Sequence, residues 1–266
     1  NYDFITPMPD GKALELGSVI NLGQKFSKAF EIVFMDEDGS VKHVYQTCYG
    51  ISERSLGSVI SVHGDNKGLF FPPKIAPIQV VIVPIMRVGE THILDYARKI
   101  RDYLRERGVR VYLDDDPGHT PGWKYYYWDM KGVPTRIEIG RREYEGKTAT
   151  IARRDRREKK TVSLEKLVEE LHSVWKDIEK VLYERALEHF KKLVIVTEDP
   201  EEAVGRKGLI VTPWDETEEC ANELESITGK SVLGTIVESP IELPVSGRSV
   251  CGGKKTSKWA LLGVTY

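Results

Sequence analysis

Cysteine is scarce, charge is balanced and no apolar run is long. The 266 residues contain three cysteines, Cys48, Cys220 and Cys251. Such a set cannot build a disulfide framework, and its odd number suits a reducing compartment. Lysine and arginine total 39 against 41 aspartates and glutamates, a formal charge of −2. That balance excludes a polybasic binder, so any nucleic-acid contact has to come from a local patch. The best candidate for a membrane span, Val80 to Met86, is seven residues long and contains Pro84. A bilayer needs roughly 18–20 apolar residues, so this run reads as a buried strand. The first thirty residues begin at Asn1 and lack a basic–apolar–small leader pattern. A cytoplasmic protein, or a piece of one, is expected, with no membrane contact. At 40% apolar and 30% charged residues, the chain can form a real core in one large domain or two modest ones. No internal repeat or low-complexity segment interrupts it.

The opening, with Pro7, Pro9, Asp10 and Gly11, reads as loop, and an apolar–polar stretch follows it to Phe34. Glu31–Met35 and Val41–Gln46 read as strands joined by a turn at Asp36-Glu37-Asp38-Gly39. Leu56, Val59, Ile60 and His63 fall at helical spacing before Gly64. Phe71–Pro77 holds three prolines and resists both helix and sheet, so a linker is expected there. From Val80 strands and helices alternate. Val80–Ile85 is a strand, and Thr91 caps a helix to Arg107 that Gly108 stops. Val109–Leu113 is the next strand and Trp123–Met130 a short helix closed by Gly132. Pro134–Ile139 and Thr148–Arg153 are strands, and Leu164–Lys191 is a long helix. The remainder offers strands at Leu193–Val196 and Leu209–Thr212, a helix at Glu216–Ile227 and an irregular tail. Such a succession implies an α/β fold with a mixed sheet.

Four groups of residues bear on chemistry. In Thr47-Cys48-Tyr49-Gly50-Ile51-Ser52-Glu53-Arg54, a strand and a glycine turn lead to an arginine on a helix's first turn. Gly50 would let a flat ligand approach the backbone, and Arg54 would fork onto a phosphate or stack on a purine. A helix start with a solvated arginine is the plainer reading. Between Trp123 and Trp128, five of six residues are aromatic, too many for a short helix to bury. Exposed rings beside Lys124, Lys131, Arg136, Arg141 and Arg142 suit unpaired RNA bases and their phosphates. Asp129 and Glu143 would accept from the Watson–Crick edge of guanine. A helix wedged between two layers is the alternative. The run from Arg153 to Lys160 has six basic residues in eight. A solvated hairpin tip is preferred there over a phosphate contact. Finally, Cys220 and Cys251 lie 31 residues apart without close cysteine partners, and His43, His63, His92, His119, His172 and His189 make no HxxxH pair. No closed metal site is expected. Cys48 lacks a nearby histidine to activate it as a nucleophile.

At these residues the chain resembles the C-terminal part of a prolyl-tRNA synthetase of the archaeal and eukaryotic-like type, a class II aminoacyl-tRNA synthetase. Tyr49–Arg54 looks like class II motif 3. His63–Gly68 through Pro72–Ile85 is similar to that family's join between catalytic core and anticodon domain, and Pro121–Glu143 to its anticodon-reading segment. The resemblance implies three parts. Residues 1–75 would be the end of an antiparallel class II catalytic core, and 76–190 an α/β anticodon-binding domain with a mixed sheet. Residues 191–266 would be a small α+β domain related to the family's zinc-binding domain. It implies ATP contacts at Arg54, Ser52, Gly50, Ser18 and Glu15, and an amino-acid pocket near Cys48 and Ile20. Anticodon contacts would fall on Tyr125, Asp129, Arg136, Arg142 and Glu143, and Tyr266 would be the terminal tyrosine that turns back toward the core.

The sequence departs from the family's pattern in three places. The family's Gln-x-Gly-Thr-Ser-His stands here as Glu15-Leu16-Gly17-Ser18-Val19-Ile20, which keeps a hydroxyl and loses a histidine. Two of four zinc cysteines are replaced, by Asp215 and Arg248, so no structural zinc is expected. Motifs 1 and 2 are not in this stretch. The intact protein is thus expected to be a proline–tRNA ligase using ATP and Mg²⁺, with proline and tRNA(Pro) as partners and a homodimeric form. This chain alone would be inactive. The alternatives are a non-catalytic tRNA-binding paralogue and a class II synthetase for another amino acid.

Overall fold

The structure is a computed structural model that describes residues 1–87, 89–156 and 158–266. Arg157 of the basic run lies outside the described residues. The chain divides into two compact units, residues 1–61 with 187–266, and residues 62–186.

The N-terminal stretch contains β1 (Tyr2–Pro7), β2 (Ala13–Gly23), α1 (Lys25–Ala29), β3 (Val33–Met35), β4 (Val41–His43), β5 (Gln46–Ile51) and α2 (Arg54–His63). β3 and β4 form the hairpin expected around Gly39. The opening is not loop: β1 and β2 pair antiparallel, and β5 pairs antiparallel with the other edge of β2. The prolines and glycine that suggested a loop are confined to the reversal at residues 7–11, where Gly11 N–H donates to the Met8 carbonyl. Nor does Gly50 form a turn. It continues β5 opposite Ser18, and the chain turns only beyond Ile51.

The unit at 62–186 is built on β6 (Val80–Pro84), α3 (Thr91–Arg105), β7 (Val111–Leu113), α4 (Pro121–Met130), β8 (Thr135–Ile139), α5 (Arg141–Gly146), β9 (Thr148–Arg153), β10 (Lys159–Ser163) and most of α6 (Leu167–Leu193). Its sheet has the order β10-β9-β8-β6-β7, parallel around β6 and antiparallel from β8 outward. Every residue of β6 is buried, which is why it reads as an unbroken apolar run. Val80 and Ile82 join a core with Ile93, Ile100 and Leu104 of α3 and Leu171, Ile178 and Leu182 of α6. Val81 and Val83 face the other way, toward Val133, Tyr125 and Trp128. Each Val or Ile so buried contributes about 1.5–3 kcal/mol.

Three details of this unit correct the sequence reading. Thr91 does not cap α3. Glu90 holds the cap position, and its carboxylate accepts from Arg87 N–H. The proline-rich segment is irregular but anchored, for Arg110 donates to the carbonyls of Pro73, Lys74 and Ala76, and Gln79 to that of Pro73. The basic run is a solvated tip only in part. It joins β9 to β10 with Arg156, Glu158, Lys159 and Lys160 exposed, but the side chains of Arg153 and Arg154 are only 10% and 1% exposed, the first held by Asp155 and Asp177 and the second by Asp65.

The C-terminal stretch contributes β11 (Val194–Val196), β12 (Leu209–Pro213), α7 (Glu218–Thr228), β13 (Ser231–Thr235), β14 (Gly247–Arg248), β15 (Lys255–Thr256) and β16 (Trp259–Gly263). The tail is therefore not irregular. β16 lies inside a four-stranded sheet of order β11-β12-β16-β13, with Ala260 and Leu262 packed in its core. Thr265 bridges to Ala13, and the Lys12 ammonium lies 5.0 Å over the Tyr266 ring. Cys220 and Cys251 form a disulfide, Cα–Cα 5.5 Å, against the expectation of unpaired thiols. Sequence separation hid the pair, which folding of α7 against the turn after β14 brings together. Among the described residues no helix is long and apolar enough to cross a membrane.

Candidate functional site

Two groups of side chains correspond to the residues singled out by sequence. The first lies on β2 and β5. Cross-strand pairing sets Ser18 opposite Gly50 and Ile20 opposite Cys48, which puts all four on one face of the sheet. Simple alternation would send Glu15 to the other face. The β1–β2 register instead skips Leu16, with Phe4 opposite Gly17 and Ile5 opposite Glu15, and this bulge returns Glu15 to the side of Ser18. The opposite face carries Tyr2, Phe4, Val19, Tyr49 and Ile51, all exposed. The Leu16 carbonyl, freed from the ladder, accepts from Ser52 N–H at 3.4 Å and Ser55 Oγ at 3.3 Å. It thereby fixes the first turn of α2, where Ser52 Oγ accepts from Arg54 N–H. Arg54 is exposed, and a Cβ at Gly50 would meet nothing within 4 Å. The result is a flat polar strip beside an arginine, the form of a purine or phosphate contact. Among the described residues, no three His, Cys, Asp or Glu side chains gather as a metal site. Cys220 and Cys251 are bonded to each other, which leaves neither thiolate to ligate a zinc ion.

The second group surrounds α4. Thr120 caps this helix by accepting from Trp123 N–H, and Gly132, at φ +82°, ends it. Its rings do not share one environment. Tyr125 and Trp128 turn toward the sheet. Trp123 lies between His119 (3.6 Å) and Tyr127 (5.1 Å), with the Lys131 ammonium 5.4 Å from the Tyr127 ring. Tyr126 is 76% exposed. Lys124 is not a free cation: buried, it donates to the Asp114 carboxylate and carbonyl at 2.8 Å each, while Trp128 Nε1 donates to the same carboxylate.

On β8, the Arg136 guanidinium lies 3.8 Å over the Tyr125 ring. It donates to Asp129 at 3.3 Å and to Glu138 at 3.0 Å, and Lys159 holds the second Glu138 oxygen at 2.7 Å. Burial pushes the Tyr125 hydroxyl pKa up, and the Glu138 charge adds to that. Burial also raises the Asp129 carboxyl, outweighing the attraction of Arg136. Behind them, Arg154 grips Asp65 with two 2.8 Å bonds and donates to the carbonyls of Asp129 and Gly68. That fork lowers the Asp65 carboxyl to about 2.

A groove of about 300 Å³ opens here, walled by Tyr126, Asp129, Arg136, Arg154, Lys159 and, from the turn before β6, Lys67. It offers an open ring, a guanidinium and carboxylate oxygens, the groups that recognise the edge of an unpaired guanine. Of the five anticodon candidates, the structure gathers Tyr125, Asp129 and Arg136. Arg142 is exposed at the start of α5, outside these walls. Glu143 caps the same helix, accepting from Gly140 N–H at 2.9 Å and Thr150 Oγ1 at 2.8 Å. Glu138 and Lys67 were missed. For Glu138 a signal existed: two residues from Arg136 on a strand, it had to share its face.

The "Anticodon binding domain" family matches residues 79–173, and the family "Prolyl-tRNA synthetase, C-terminal" matches 197–266. A Methanopyrus kandleri protein named "Proline--tRNA ligase" is 45% identical over 236 residues, covering 87% of this chain and 48% of that protein. Proteins of the same name from Pyrococcus abyssi and Aeropyrum pernix are 43% and 42% identical, over 92% and 99% of the chain and 52% and 56% of their own lengths. The chain thus spans about half the length of the curated relatives it matches. Likeness at this level extends over 87–99% of the chain, and on these grounds the chain belongs to the prolyl-tRNA synthetase family.

Proposed function

We propose that the intact protein is a proline–tRNA ligase that activates proline with ATP and transfers the prolyl group to tRNA(Pro). Residues 76–190 serve as its anticodon reader, 1–75 as the end of its class II core and 191–266 as its C-terminal domain. The observation that supports this most directly is Arg136 stacked on Tyr125 between two carboxylates, in a groove with an open ring at its edge. In this reading Arg136 donates to guanine, Asp129 accepts from its Watson–Crick edge, and Arg142 and Glu143 engage the loop farther along. Ser18, Gly50, Ser52 and Arg54 face the nucleotide, with Glu15 at the strip's end and Cys48 and Ile20 toward proline. Activation of this kind is chiefly placement and charge neutralisation, and this chain's contribution is Arg54 and the flat strip beside it. The intact enzyme acts in the cytoplasm as a homodimer, and this chain by itself does not activate proline.

The test compares an RNA hairpin carrying the proline anticodon with one whose anticodon guanines are replaced. Arg136→Ala should cost about 1–3 kcal/mol of the preference for the first hairpin. Equal losses for both hairpins would reduce Arg136 to a phosphate contact and remove the support for anticodon reading.

A further inference from the structure

Beyond the residues already assigned to base reading, the groove under α4 has, among the described residues, one ammonium and one ring that its internal contacts do not engage. Arg136 is neutralised by Asp129 and Glu138, Lys159 by Glu138, Arg153 by Asp155 and Asp177, and Arg154 by Asp65. Lys67 is different: among the described residues its ammonium pairs with no carboxylate, although it lines the same wall as Tyr126. Its backbone is nonetheless fixed. Lys67 N–H donates to Asp65, Gly68 bridges back to Asp65, and the Arg154 fork grips both Asp65 and the Gly68 carbonyl. Gly68 adopts φ +124°, and a Cβ there would come within 2.5 Å of the Met130 carbonyl oxygen, so the turn presses directly on the end of α4. A turn held this rigidly presents the Lys67 ammonium at a set place, in the field of the Asp65 and Asp129 carboxylates but, among the described residues, without an ion-pair contact to either.

The rings sort the same way. Tyr125 lies under Arg136, Trp128 is bonded to Asp114, and Trp123 and Tyr127 stack on each other. Tyr126, on the same helix, keeps an uncovered face at 76% exposure. An open aromatic face and an unpaired ammonium on one groove wall suit two parts of a single ligand, an unstacked base and its phosphate.

We propose that Lys67 and Tyr126 form a sequence-independent nucleotide clamp in the anticodon groove, Tyr126 stacking a base of the single-stranded loop and Lys67 neutralising a phosphate. The clamp rests on the anticodon-reading function proposed above, but it supplies affinity whereas Arg136 and Asp129 supply discrimination. Among the described residues neither side chain makes a hydrogen bond, so replacing it leaves the unit folded.

The experiment measures binding of this 266-residue chain to the two RNA hairpins across a salt series. Lys67→Met should shrink the slope of log affinity against log salt by about 0.7, the share of one single-strand phosphate, with both hairpins weakened alike. Lys67→Arg should keep the slope. Tyr126→Leu should weaken both hairpins about fivefold or more, and Tyr126→Phe should restore binding. If the wild-type chain prefers the guanine hairpin but Lys67→Met keeps the full slope, or Tyr126→Phe loses as much as Tyr126→Leu, the clamp is overturned while the anticodon reading stands. If the wild-type chain shows no preference between hairpins, the anticodon reading falls and the clamp with it.

Discussion

Replacing Arg154 by alanine tests the interior of the 62–186 unit most directly. Its side chain is 1% exposed and donates to both Asp65 oxygens and to the carbonyls of Asp129 and Gly68. Truncation leaves the Asp65 carboxylate with the Lys67 N–H but without its guanidinium, and removes one donor from each of two carbonyls that keep a backbone partner, Gly132 N–H for Asp129 and Asp65 N–H for Gly68. Breaking a fully buried ion pair costs about 3–5 kcal/mol. The Asp65 side chain is 31% exposed and can be rehydrated in part, which places the expected loss near the lower end, about 3 kcal/mol. Urea unfolding followed by tryptophan fluorescence reads it, since Trp128 and Trp175 both belong to this unit. Arg154→Lys keeps the charge but not the fork and should recover less than half.

The pH dependence gives a second handle on the same contact. Asp65 is lowered from its ordinary 3.8 to about 2, so its stabilisation is complete above pH 4 and fades as the carboxyl protonates toward pH 2. The gap between wild type and Arg154→Ala should therefore be widest near neutrality and narrow across that window. A variant within about 1 kcal/mol of wild type at pH 7, or a gap that stays constant down to pH 2, would refute the view of Arg154 as the clamp of this unit.

Other outcomes follow from separate contacts. Reducing the Cys220–Cys251 bond, which closes a 31-residue loop, should cost the C-terminal sheet about 3–4 kcal/mol, read as a shift in thermal melting with and without a dithiol. Asp114→Asn leaves the buried Lys124 ammonium without its counter-charge and should destabilise by about 3 kcal/mol in urea unfolding, whereas the paired change Asp114→Leu with Lys124→Met should recover much of it. Gly68→Ala sets a Cβ against the Met130 carbonyl and should lower the melting temperature by several degrees; an unchanged melt would show that the turn yields easily. The Arg136 experiment above probes the reading of guanine directly.

Where a pattern was local, sequence was a good guide. The spacing of Ile93, Ala97, Ile100 and Leu104 located α3 and its buried face, and the unbroken Val80–Val83 run announced a strand covered on both sides. Several of the failures share a cause, a partner distant along the chain. Trp259–Gly263 is too short to declare itself, and it becomes an inner strand only because β12 and β13 flank it. Arg153 and Arg154 look like surface charge until Asp177 and Asp65 arrive from 24 and 89 residues away. At the candidate site the residue types were legible in the aromatic run, but their division of labour was not. Nothing in Trp123–Trp128 reveals that its lysine points inward while Tyr126 faces out.

The segment from Asp65 to Phe71 has a practical meaning for anyone excising the anticodon reader. The matched family begins at residue 79, which invites a cut there. Leu69 and Phe71 N–H, however, donate to the carbonyls of Met130 and Gly132, Phe70 is fully interior, and Asp65 holds Arg154. A fragment trimmed to the family boundary would lose this outer strap, leaving a guanidinium stranded and α4 unbraced at the end where Asp129 sits. The autonomous piece starts upstream of Asp65.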